Sequence, residues 1–223
     1  MAEMTQTPII ERFVLGPYET NCYTVTEQEH PACWIVDAGM GPAGMIERIN
    51  EQSLAVEAIV LTHAHVDHIA GLDEIAGAFP DAPVYLHPSE HAWLNDPMLN
   101  LSAAAGAPIS CATGVTHALE EGMTLELLGR HWKILHTPGH SPGGVTIDLQ
   151  TDDDSEQRIA FVGDTLFAGS IGRSDFPTSD EAMLHESIRR RLYTLDNSTA
   201  ALPGHGPPTS IGHEKATNPF VRG

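Results

Sequence analysis

The amino-acid sequence predicts an α/β fold, a single domain over residues 1–223 with a two-layered sheet core flanked by helices. Three observations carry this. A chain of 223 residues is long enough for one domain to bury most of its apolar surface. A hydrophobic fraction of 41% against 18% charged residues is that of a globular chain rather than a disordered one. Short β-type runs fall into two groups, each interleaved with amphipathic helical stretches, and such runs stack as sheets covered by helices. The pattern alone leaves α/β and α+β both open.

In chain order, residues 12–15, 22–26 and 33–36 read as strands, the last ending at Asp37-Ala38-Gly39. Residues 43–52 read as a helix, with Met45, Ile46 and Ile49 at helical spacing. Residues 58–61 form a buried-type strand that runs straight into a polar cluster. A helix over 69–79 ends at Pro80, and 84–86 is a further strand. Residues 95–114 are rich in Ala, Gly, Pro and Ser without periodicity, and a loop of that length is either a binding loop or a plain surface excursion. Residues 125–128 and 132–135 read as a hairpin through Gly129. Strands at 145–149 and 159–162 flank an acidic run at 152–156, which reads as a solvated turn. The helix over 179–195 is the clearest, with Ser179 as N-cap and the stripe Leu184, Ile188, Leu192, Leu195. Residues 200–202 form a last short strand.

Charge excludes whole classes of function. With 30 acidic residues against 11 basic, the formal net charge is −19, a field that repels phosphate backbones. The one dense basic cluster, Arg189-Arg190-Arg191, falls near the end of a helix, where cations complement the helix dipole. A nucleic-acid partner is therefore not expected. No apolar run approaches the ~18–20 residues of a membrane span, and residues 1–10 lack a basic start followed by an apolar stretch. The three cysteines, Cys22, Cys33 and Cys111, are odd in number and form no CxxC. Free, mostly buried thiols in a reducing compartment are expected, and hence the cytoplasm.

The chemistry concentrates in histidine. The strand at 58–61 leads into Thr62-His63-Ala64-His65-Val66-Asp67-His68. In extended or turn backbone, residues i and i+2 face the same way, so His63 and His65 can grip one cation. Asp67 and His68 turn the corner into the next helix and can serve a second. Three later residues, His140, Asp164 and His205, each sit beside a short apolar run and next to glycine, which lets backbone and ion approach closely. Singly, each is equally well an ordinary turn histidine or capping aspartate. With the first cluster they supply seven ligands, enough for two metals and one bridging carboxylate.

Residues 62–68 with His140, Asp164 and His205 resemble the metallo-β-lactamase superfamily, and within it the glyoxalase II-like hydrolases. The resemblance runs from 16–23 to 212–220 and implies an αββα sandwich of two mixed sheets with the metals at one edge. Carried over position by position, it implies His63, His65 and His140 on the first metal, Asp67, His68 and His205 on the second, and Asp164 bridging. Glyoxalase II proteins proper continue into a helical domain that helps bind glutathione, whereas only residues 206–223 follow His205 here. The resemblance is therefore to a short form, with 169–177 as its characteristic segment, and glutathione specificity is put in question. Lactamases of the superfamily often place a cysteine on the second metal, and none of the three cysteines lies in a matching context.

The implied cofactors are two divalent ions, zinc first, with iron or manganese as alternatives for His and carboxylate donors. Two such ions roughly 3.5–4 Å apart lower the pKa of a shared water towards ~7. The resemblance thus implies hydroxide attack on a thioester, S-lactoylglutathione and other glutathione conjugates being candidate substrates. Asp67 would orient the nucleophile and accept a proton. Arg173 would grip a substrate carboxylate or, with Asp175, merely tie down a loop. Asp37 reads as a turn residue that can hydrogen-bond a ligand histidine, and Tyr18, Thr20 and Asn21 as the pocket border. His136 is a candidate for lining the site, while His30, His117, His131, His185 and His213 have no ligand spacing. Two alternatives stand beside the hydrolase. A mononuclear-iron persulfide dioxygenase shares this ligand set, and a non-enzymatic metal-binding protein is disfavoured because structural sites use closed four-ligand cages.

Overall fold

The computed structural model describes residues 7–151 and 156–223. The first half lays down β1 (Ile9–Leu15), β2 (Thr20–Thr26), β3 (Ala32–Val36), α1 (Ala43–Glu51), β4 (Ala55–Val60), α2 (Val66–Ile69), α3 (Leu72–Ala78), β5 (Val84–Leu86) and β6 (His117–Ala118). The six strands form one sheet in sequence order, antiparallel from β1 to β3 and parallel from β3 to β6. The second half adds β7 (Thr124–Leu127), β8 (Arg130–His136), β9 (Val145–Gln150), β10 (Ile159–Gly163), β11 (Leu166–Phe167), β12 (Ser170–Ile171), α4 (Glu181–Arg190), β13 (Ala200–Pro203), β14 (Thr209–Ser210) and α5 (Ile211–Thr217). Its sheet runs β14-β13-β10-β9-β8-β7, parallel only between β10 and β13, with β11 and β12 as a separate hairpin.

Side-chain alternation decides the layering, because successive residues of a strand point to opposite faces. In β3, Trp34 and Val36 face the second sheet while Cys33 and Ile35 face the helices; after β4, Leu61 joins Ile59 on the helix side. In β10, Ile159 and Phe161 pack between the sheets, and Ala160 and Val162 meet α4 and α5. Both faces of the central strands are covered, which is why they read as continuous apolar runs. Trp34, Trp132 and Phe161 lock the sheets together, the two indoles edge to face at 4.9 Å. The result is two mixed sheets between flanking helices, the expected αββα arrangement.

Four local expectations are corrected. The helix expected over 69–79 is two pieces, α2 and α3, broken at Gly71. There the chain crosses so close to the turn after β3 that a Cβ on Gly71 would lie 2.1 Å from the Gly39 carbonyl oxygen. The helix expected over 179–195 is α4 alone, followed by a 3-10 turn at Leu192–Thr194. Its N-cap is Asp180, whose carboxylate accepts from Met183 N at 2.9 Å; the Ser179 hydroxyl instead donates to the His140 carbonyl at 2.6 Å. The β7–β8 hairpin turns at Leu128-Gly129, both with positive φ, as a two-residue type I′ turn requires, so Leu128 is not strand. Of the acidic run, residues 152–155 lie outside the described residues, and Glu156 is not solvated but buried in an ion pair with Arg130. Cys22, Cys33 and Cys111 are free and buried, as expected. Among the described residues no helix is long and apolar enough to cross a membrane.

Candidate metal centre

Every expected donor follows the C-terminal end of a strand. His63 and His65 lie in the turn after β4, Asp67 and His68 on α2, His140 after β8, Asp164 directly after β10 and His205 after β13. Four loops from two sheets therefore meet at one edge, and their donor atoms converge. His63, His65 and His140 form one group within 4.8 Å, and Asp67, His68 and His205 form another. Asp164 stands between them. One carboxylate oxygen lies 3.5 Å from His140 Nε2 and 3.4 Å from His205 Nε2, and the other lies 3.4 Å from His68 Nε2.

The imidazoles are aimed by what their other nitrogens do. His68 Nδ1 donates to Asp37 Oδ2 at 2.8 Å, His140 Nδ1 to the Arg173 carbonyl at 2.8 Å and His205 Nδ1 to the Tyr18 carbonyl at 3.1 Å. The Thr62 hydroxyl donates to Asp37 Oδ2 at 2.8 Å and so accepts from His63 Nδ1 at 3.1 Å. In these four rings Nδ1 is committed to the protein and Nε2 is left for the centre. That division fixes the tautomer of a metal-binding histidine. His65 differs, its Nδ1 facing His140 Nε2 at 2.8 Å.

Whether the residues suit a cation can be read from what they leave unsatisfied. Buried polar atoms are normally hydrogen-bonded, yet His63 Nε2, His65 Nε2, His68 Nε2 and Asp164 Oδ1 are buried with no hydrogen-bond partner. Three of these residues, His63, His68 and Asp164, form a group whose donor atoms lie within 4.8 Å of one another, whereas His65 turns its Nδ1 toward His140. Protonation tells the same story. Burial opposes charge on both Asp67 and Asp164, but His68 and His205 overcome it, holding Asp67 down at about 2 and Asp164 well below the carboxylate range. Against its own burial, His68 is pushed well above the usual imidazole range by Asp67, Asp37 and Asp164. His205 is likewise raised to about 10, against burial, by hydrogen bonds to Asp164 and Asp67. Burial, aided by neighbouring imidazoles, keeps His63 low and His65 at about 3. The centre thus combines neutral imidazoles with carboxylates that demand positive charge, a donor set that fits divalent cations.

The Metallo-beta-lactamase superfamily model matches residues 15–205, a span containing all seven expected donors. The chain belongs to the metallo-β-lactamase superfamily. It is 33% identical over 213 residues to the hydroxyacylglutathione hydrolase GloC of Haemophilus influenzae, covering 95% of this chain and 97% of that one. Among solved structures, the BLEG-1 B3 metallo-β-lactamase matches with a TM-score of 0.89 at 38% identity, over 96% of this chain and 100% of that one. TTHA1623, solved in a di-iron-bound form, matches with a TM-score of 0.80 at 38% identity, over 95% and 100%. Other relatives at 38% identity carry metallo-hydrolase names.

Within this superfamily fold, the residues expected around the donors take definite places. Asp37 holds two parts of the centre at once, taking Thr62 N at 2.7 Å on one oxygen and His68 on the other. Thr20 donates its hydroxyl to Asp67 Oδ2 at 2.9 Å, and Asn21 ties down the His205 loop through the Pro203 and Gly206 carbonyls. Tyr18 lines the cleft above the donors together with Met98, Leu101, Phe167, Phe176 and Arg173; the loop over 95–114 is thus one of its walls. Arg173 is exposed and already held by Asp175, Nε and Nη2 each lying 2.9 Å from a carboxylate oxygen. His136 does not line the site: its ring stacks on His87 at 4.2 Å and bonds the Pro142 carbonyl. Glu90 is a further residue of the site. Fully buried, it accepts Ala64 N at 2.6 Å and Gly143 N at 2.7 Å, stapling the His63–His65 turn to the His140 turn. A lone glutamate in a short polar stretch gives no pattern by which to find it.

Proposed function

We propose that the chain is a dinuclear metal-dependent hydrolase acting on thioesters, with His63, His65 and His140 for one divalent ion, Asp67, His68 and His205 for a second, and Asp164 shared. The observation that carries this reading is the pairing of two donor triplets around one carboxylate that reaches both, at the floor of an open cleft. A structural site would be closed to substrate. GloC, a thioester hydrolase by name, supports the substrate class. Zinc is the first expectation, and the di-iron form of TTHA1623 makes iron the principal alternative, ahead of manganese.

When bound, divalent ions in such a pair supply an acidified water and a Lewis acid for a carbonyl oxygen. The protein's part is orientation and exclusion. Asp67, fixed by Thr20 and held at about 2, is suited to accept a hydrogen bond and orient a nucleophile rather than to retain a proton. His65 and His140 are flanked by the Phe176 ring at 5.3 and 5.8 Å, and His205 by Phe167 at 6.0 Å. These rings cover part of the donor set, and excluding water there strengthens the charge interactions beneath them.

Metal analysis joined to a thioester panel including S-D-lactoylglutathione tests the proposal. Two metals per chain with thioester turnover is the expected result; no turnover of any thioester with both metals present overturns it. The resemblance to BLEG-1 supports one second reading, lactam hydrolysis, so a chromogenic cephalosporin belongs in the panel. A single iron per chain with oxygen uptake on glutathione persulfide would replace hydrolysis by the dioxygenase reaction.

A further inference from the structure

The cleft above the donors has a volume of ≈ 570 Å³, within the range of about 300–1,000 Å³ typical of small-molecule sites. Its walls are unusual for a protein with a net charge of −19. Two large apolar side chains stand open to solvent at its mouth, Met98 at 73% exposure and Tyr18 at 49%. Leu101 lies in the left-handed region that bulky residues rarely adopt, at φ 68, and half-buried Phe167 and Phe176 continue the apolar surface down to the imidazoles. Exposed apolar groups gathered around a cleft mark a place where apolar ligand surface is bound.

Above the donors, the walls offer little positive charge. Arg173 is the one arginine among the cleft-lining residues, and no lysine joins it; its guanidinium is held by both oxygens of Asp175 and stacked 4.3 Å over Phe176. The acidic groups of the cleft, Asp67 and Asp164, lie at the floor among the donors. A glutathionyl group carries two carboxylates and one ammonium. It would meet long-range repulsion from the whole chain, and the one wall cation it could reach has its charge already partly neutralised by Asp175. We infer that the cleft selects thioesters whose acyl and thiol parts are apolar and uncharged, and discriminates against glutathione conjugates. The inference rests on the reading of this site as a hydrolase, which it narrows to a substrate class.

Uncleavable thioethers separate the two claims. Two series carrying butyl, hexyl and octyl chains, one on neutral N-acetylcysteamine and one on glutathione, are titrated calorimetrically into the metal-replete full chain. The neutral series is expected to gain roughly two- to fourfold in affinity per buried methylene, and its hexyl member to bind at least about tenfold tighter than hexylglutathione. Met98→Gln, at a side chain exposed enough to spare the fold, is expected to weaken the octyl ligand about threefold or more. Glutathione thioethers binding as tightly as the neutral ones, affinity independent of chain length, or no binding of either series would overturn the inference. Hydrolysis of the matching S-hexanoyl thioesters reports separately. Chain-length-dependent binding without turnover leaves the selectivity standing and removes the hydrolase. Turnover of the glutathione thioester alone overturns the selectivity and keeps the hydrolase.

Discussion

Gly204 has no side chain because Asp164 and His68 occupy the place one would take: a Cβ there would lie 2.2 Å from Asp164 Oδ1 and 2.6 Å from His68 Cε1. Gly204→Ala must push the carboxylate away from the centre. The strain expected of such overpacking is about 1–3 kcal/mol, and atomic analysis should find the variant retaining well under half of the wild-type metal. Glu90 makes a complementary case. Both of its oxygens accept backbone N–H groups, although burial raises its pKa and so opposes the charge. Gln keeps the shape but turns one acceptor into a donor that faces another donor. Glu90→Gln is expected to cost about 1–3 kcal/mol in urea unfolding and to lower metal affinity, because the His63–His65 and His140 turns lose their staple. Equal metal affinity in the variant would assign Glu90 to stability alone.

At the scale of elements, β9 places Asp148 opposite Lys133 of β8 in a setting where its exposure is 7%. Burial raises its pKa from 3.8 to about 6, against the Gln150 hydrogen bond and the nearby Lys133 and Arg158 charges. A carboxyl whose pKa is raised on folding stabilises the native state only when protonated. Its contribution is complete below pH 3.8, the unfolded value, and is lost as pH rises through about 6. Asp148→Asn should therefore be more stable than wild type at pH 8, by up to about 2–3 kcal/mol, and the advantage should vanish near pH 4; thermal melts at both pH values measure it. This cost was invisible in the sequence, where Asp148 is one polar residue in an apolar run. The same limit explains what else was illegible. The donors at 63–68 were readable because four of them are local. The elements themselves were readable where alternation or a 3.6-residue period was strong, as in β3 and β10. The break at Gly71 was not, because it depends on the Gly39 carbonyl, which only tertiary packing brings near. Nor was the apolar wall formed by Met98, Leu101 and Phe176, since aperiodic loops carry no signal for the face they present.

Across the whole molecule, each donor triplet takes members from both sheets: His63 and His65 from the first with His140 from the second, and Asp67 and His68 with His205. Ligands held at a thousand times their dissociation constant stabilise a fold by about 4 kcal/mol, and a chain of this size gains roughly 2–4 °C per kcal/mol. Complete chelation is thus expected to lower the melting temperature by something of the order of 5–15 °C, alongside measured loss of metal; an unchanged melt after that loss would count against the dinuclear proposal. The position of the centre also says how that stability should be expressed in time. His65 and His140 are 75 residues apart, and the His205 ring reaches back to Tyr18 across 187, so the loop-closure cost makes the donors expected to meet late, once both sheets have closed on one another. An ion held there is a clasp fastened last. Interactions absent from the folding transition state leave the rate of folding alone and slow unfolding. Metal should therefore act as a brake on opening: stopped-flow unfolding is expected to slow with added zinc while refolding keeps its rate, and the protein's persistence in a metal-poor medium would be set by how fast the two sheets part.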